Sequence, residues 1–263
     1  MSTPPPTPTP QSSQSHGYTT TTSEGAALTR LVSADRLGAY QAAAAGYGGD
    51  PLELYLWDHD LAAAALGDIA ILEVALRNAM TEQLVRRANR PDWYAVDIDL
   101  DDRSLSSIKR ALGDIPASRR TPGRVVAQLM FGFWPDLLET GGKIYKDTPR
   151  QRQADYEQMW RDGMKDAFPG GRRLARARSE QFGRTWMFDV VKKVHALRNR
   201  VSHHEPLVNG MKMPGQQGRR LRVAEAHEAC ILLAKSLDRD LGAWFERNNQ
   251  MAQIIPLRPP LTP

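Results

Sequence analysis

Cysteine is nearly missing from this chain: Cys230 is the single one among 263 residues. That excludes an internal disulfide framework and fits a reducing compartment, so a cytoplasmic location is expected. Long apolar runs are missing as well. None approaches the roughly 18 residues needed to cross a bilayer, so no membrane partner is expected. The first residues show no basic stretch followed by an apolar one, so no secretory leader is read there. Strand alternation is absent too, and aromatics are only 7% of the chain. Charge is not strongly one-sided: the formal net charge is +5, compatible with a polyanionic partner without demanding one.

Helical periodicity is what the chain does have. Residues 1–24 are Pro, Thr, Ser and Gln with little apolar content and are expected to form a disordered tail. A helix is expected over Arg36–Ala45. Asp50 and Pro51 mark the start of another, carrying Leu52, Tyr55, Leu56 and His59, with Gly67-Asp68 as a weak break before a stripe of Ile69, Leu72, Leu76 and Met80. Further helices are expected around Ser104–Leu112, after Thr121-Pro122 as far as Pro135, which kinks or ends it, over Arg150–Phe168, and over Val223–Arg247. A turn or hairpin is expected around Met213-Pro214-Gly215. Together these predict an all-α fold: one helical bundle of about seven to nine helices over residues 25–248, followed by a short Pro-rich tail over 249–263.

The stretch from Trp186 to Pro206, WMFDVVKKVHALRNRVSHHEP, concentrates the chemistry. Met187, Val190, Val191, Val194, Leu197 and Val201 form the apolar face of one helix. Pro206 ends it near His203 or His204. Its last turn therefore carries Arg198, Asn199, His203, His204 and Glu205, and His195, Asn199 and His203 make one polar stripe at four-residue steps. An Arg with a His five residues on is a weak signal by itself, since Arg222 and His227 share that spacing. A capped helix end, with His and Arg favoured by the helix dipole, accounts for the same residues. On an ideal helix Arg198 and His203 lie roughly 140° apart. They converge only if the last turn unwinds or a second subunit supplies a matching helix.

LRNRVSHHEPL, residues 197–207, resembles the signature of the Abi-like (abortive infection) family within the HEPN superfamily. ILEVALRNAM, at Ile71–Met80, resembles that family's earlier helix block, and RVVAQLMFGFW, at Arg124–Trp134, a third. The resemblance extends over about Leu31–Trp244. It implies a HEPN-like bundle and a metal-independent endoribonuclease, with no cofactor. A base takes the proton of a ribose 2′-OH and the oxygen attacks the adjacent phosphate, leaving a 2′,3′-cyclic phosphate and a 5′-OH. His203 suits the acid–base role because imidazole titrates near neutral pH. Arg198 suits charge stabilisation. Asn199 is a candidate to orient His203 or to bind phosphate, and His204 a candidate second acid or base. The resemblance also implies an abortive-infection or toxin-type phage-defence role, a homodimeric composite site, RNA as partner, and an antitoxin or phage-derived trigger.

Other features have two readings each. Glu73 and Arg77 form either an intrahelical ion pair or a polar group that supports the Arg198 helix. The basic run holding Arg172, Arg173, Arg176, Arg178 and Arg184 is either a solvated face or an RNA funnel, with Arg173 and Arg176 as the candidate contacts. The aromatics of FGFW are core or a base-stacking platform. His195, His203, His204 and Glu205 lack the spacing of a metal site, and none is expected. The rival to the nuclease is a non-catalytic RNA-binding or protein-interaction module on the same fold.

Overall fold

The structure is a computed structural model that describes residues 13–15, 18–45, 49–146, 148–213 and 218–259. With 69% helix against 4% strand, the class is all-α. In chain order the helices are α1 Thr22–Val32, α2 Ala34–Ala45, α3 Pro51–Ala88, α4 Asp102–Gly113, α5 Pro122–Gln128, α6 Phe133–Asp136, α7 Tyr156–Asp162, α8 Gly171–Ala177, α9 Arg184–Ser202, α10 Val223–Leu237, α11 Arg239–Asn248 and α12 Met251–Ile254. Among the described residues, no helix is long and apolar enough to cross a membrane.

The chain divides into two compact units. Both are discontinuous, and α3 and α9 contribute to each. The first holds residues 1–66, 200–223 and 250–263. In it, Asp50 caps α3, its carboxylate accepting the Leu52 N–H at 2.8 Å. Strands Met211–Lys212 and Arg220–Leu221 pair antiparallel. The turn expected around Met213-Pro214-Gly215 lies mostly outside the described residues. Gly210 sits at φ +71°, where an added Cβ would lie 2.8 Å from the Leu221 carbonyl, so only glycine fits.

The second unit holds residues 67–199 and 224–249. Its core takes Ile69, Leu72, Leu76 and Met80 from α3, Met187, Val191, Val194 and Leu197 from α9, and Cys230, Leu233 and Ala234 from α10, all buried. Phe131, Phe133 and Trp134 are buried too, which removes FGFW as a platform for bases. Cys230 is also beyond easy chemistry, its thiol pKa pushed up by burial.

Several boundaries differ from expectation, each for a local reason. Gly67 does not break α3, which runs for 38 residues. A mid-helix glycine costs about 1 kcal/mol, less than the roughly 1.5–3 kcal/mol gained by burying either Ile69 or Leu72. α5 stops at Gln128, seven residues before Pro135, and the proline sits in the first turn of α6, where no N–H is required. The helix expected over Arg150–Phe168 shrinks to α7 and a 3-10 turn at Met164–Ala167. Arg152–Gln153 instead pairs with Lys143–Ile144. The last long helix divides at Asp238, whose carboxylate accepts the Asp240 and Leu241 N–H groups at 2.8 Å and starts α11. These divisions give more helical segments than the seven to nine expected.

Some described residues near each end of the chain are paired or packed. Ser13–Ser15 pairs with Tyr18–Thr20, and α1 begins with a Thr21–Glu24 capping box inside the expected tail. At the other end Met251 is buried, residues 251–257 are helical, and the Trp57 indole N–H donates to the Ile254 carbonyl at 2.9 Å. An indole donor and a buried thioether hold the described part of the Pro-rich tail.

Candidate functional site

Helix α9 stays regular through Ser202, so unwinding of its last turn is not what brings Arg198 and His203 together. Beyond it the chain closes in a Schellman motif. The Glu205 N–H donates to the Arg200 carbonyl at 3.0 Å and the His204 N–H to the Val201 carbonyl at 3.1 Å. His204 takes the left-handed position of this motif, with φ +53°. His203, His204 and Glu205 are all exposed. The Arg200 guanidinium pairs with the Glu205 carboxylate and donates to the Pro206 carbonyl at 3.1 Å. His204 is therefore set by backbone geometry first. Replacing it with glycine, free of the left-handed penalty, is expected to stabilise the chain by about 0.5–1 kcal/mol. A lower denaturant midpoint for His204→Gly would mean that its side chain has a structural role.

Arg198 belongs to the second unit, as do its neighbours described here. Half-buried, it has its Nε 3.9 Å from the Glu73 carboxylate, a loose ion pair. Glu73 is thus directed to α9, and Arg77 has no hydrogen-bond or ion-pair partner among the described residues. One turn back on α9, the imidazole of His195 stacks on Phe131 with ring centroids 5.3 Å apart and planes 16° from parallel. The Asn199 amide lies 3.1 Å from His195 Nε2, in position to donate to a neutral ring. Burial, and secondarily the Arg198 charge, lowers the His195 pKa. The ring's engagement with Phe131 is invisible in the sequence; only its four-residue step to Asn199 was legible. Asn199 is committed to His195, which leaves its expected role toward His203 without a contact.

A depressed imidazole pKa has a definite consequence. The folded protein binds this proton less readily than the unfolded chain, whose histidine titrates near 6.5. His195 therefore imposes no penalty above that pH, and stability falls as pH drops through it toward the folded pKa. Melting wild type and His195→Gln between pH 8 and 5 is expected to show a steeper acid-side loss in wild type. Parallel curves would exclude the effect.

The basic run separates into two kinds of arginine. Arg184 is structural, donating to the Glu157 carboxylate at 2.9 Å and the Leu138 carbonyl at 2.6 Å, and Arg178 pairs with Glu228 at 2.5 Å. Arg172, Arg173 and Arg176 of α8 are exposed and without partners among the described residues. Among those residues no group of three or more His, Cys, Asp or Glu is arranged to hold a metal ion. Compared with protein-family profiles, with curated proteins and with solved structures, the chain matches none.

Proposed function

We propose that the protein is a metal-independent endoribonuclease of the Abi-like kind. The observation that carries this reading is the exposed His203 imidazole at the rigidly capped end of α9, the helix that also bears Arg198. In this reading His203 takes the proton of a ribose 2′-OH, and the freed oxygen attacks the adjacent phosphorus. Arg198 stays charged and grips the phosphate through its planar fork, stabilising the negative charge that builds there. The departing 5′ oxygen takes up a proton, for which His204 is the candidate donor. Arg173 and Arg176, free on α8, supply long-range attraction for the polyanion. A homodimer, with α9 of each copy contributing to one cleft, supplies the convergence that a regular helix denies to a single chain. An abortive-infection or toxin role, with an antitoxin or phage-derived trigger, completes the proposal.

The rival is a non-catalytic RNA-binding or protein-interaction module on the same fold. Glu73 favours the protein-interaction arm of it, because a carboxylate beside Arg198 offsets part of the charge a phosphate would meet. Incubation of purified wild type and His203→Ala with RNA in EDTA, with the cleavage ends mapped, separates the two. Cyclic-phosphate and 5′-OH ends produced by wild type alone support the nuclease. RNA bound equally by both proteins and cut by neither supports the rival.

A further inference from the structure

The segment from His203 to Leu207 is held at more points than a helix end requires. The two Schellman bonds already engage the last carbonyls of α9. Three charged side chains of the same unit add to them. Arg36 of α2 donates to the His204 carbonyl, and Arg200 donates to that of Pro206. Asp58 of α3 accepts the Leu207 N–H, 3.1 Å from each of its oxygens. Asp58 is 3% exposed. The Tyr40 hydroxyl donates to it at 2.8 Å, and the Tyr40 ring is fixed edge-on against Tyr55, 5.4 Å between centroids.

Burying an ionised carboxylate is expensive, and this one holds the backbone N–H groups of the buried Leu207 and Val208 together with the Tyr40 hydroxyl. The desolvation is visible in the Asp58 pKa, which burial raises against the opposing hydrogen bonds from Leu207 and Tyr40. Over-determined backbone of this kind, around a residue in the left-handed region, collects where a side chain must be aimed. The side chain next to that residue is His203.

We propose that Asp58 is a positioning residue for His203: by clamping the Leu207 N–H onto α3 it fixes the turn from which the imidazole projects. Asp58 itself touches no substrate. The proposal rests on the reading of His203 as the base, so its test needs one measurement that depends on that reading and one that does not.

Full-length wild type, Asp58→Ala and Asp58→Asn are compared in two ways: steady-state cleavage of single-stranded RNA in EDTA, and the 1H–13C spectrum of the imidazoles with the His203 signal assigned through His203→Ala. Misplacing a reacting group by about 1 Å costs on the order of 100-fold. Asp58→Ala is therefore expected to lose about that factor in kcat while KM changes less than about two-fold. It also moves or broadens the His203 signal. Asp58→Asn, which keeps an acceptor for Leu207, recovers most of the rate. Wild-type kcat in Asp58→Ala, or a loss of kcat with an unmoved His203 signal, overturns the positioning role. If wild type does not cut RNA, the nuclease reading is what fails, and the spectrum alone decides: an unaltered His203 signal in Asp58→Ala then overturns the proposal. If Asp58→Ala does not fold, Tyr40→Phe, which removes one bond and keeps the ring, is read by the same two measurements with a smaller drop expected.

Discussion

His203→Ala is expected to lower kcat for metal-free RNA cleavage by about 10²–10⁴-fold, the usual contribution of a positioned general base. The loss should fall on kcat and not on KM, because the imidazole acts on a proton in flight and contributes little to holding the strand. Folding should be untouched. His203 is exposed beyond the last residue of α9, and the bonds that close the turn are backbone bonds of its neighbours. An exposed substitution of this kind changes stability by no more than about 0.5 kcal/mol. The substrate must carry a 2′-OH, so a single-stranded DNA of the same sequence should bind and survive. Cleavage that persists at the same ends in His203→Ala, with the rate unchanged, would sink the assignment of the base and with it the nuclease reading.

Leu197→Ala should be the most damaging change on the opposite face of the same helix. Leu197 is fully buried, in line with Val190, Val194 and Val201. Removing three methylene-sized groups there costs about 3–5 kcal/mol, part lost transfer energy and part cavity. For a chain of this size that corresponds to roughly 6–20 °C in Tm. Leu66→Ala makes the control. That leucine is 49% exposed on α3, and its loss is expected to stay within about 0.5 kcal/mol. Thermal melts of both variants beside wild type test the pair. Similar losses in the two would mean that burial does not rank these leucines.

The contrast between these substitutions shows how far the sequence reaches. Arg198 and Leu197 are adjacent in the chain, and helical periodicity alone assigned one to the polar edge and the other to the core. It also set the end of α9 within a residue or two, because Pro206 is a local stop. The same local chemistry explains why Asp50-Pro51 and Thr121-Pro122 were legible as starts. Gly67 was misread because a propensity of about 1 kcal/mol is outvoted by the core it interrupts. Asp238 was missed because a capping carboxylate inside an apolar repeat looks like an ordinary surface residue.

What the sequence settled by itself was the all-α class, the apolar faces and the polar end of α9. Each depends on residues three or four apart, and the chain carries that spacing wherever it goes. What the tertiary structure alone decided was partnership. Glu73 faces Arg198, His195 lies on Phe131, and Asp58 reaches across 149 positions to Leu207. Such pairs are fixed by how packed helices bring distant side chains together. A carboxylate with several cations within reach of its own helix gives no local sign of which one it will meet.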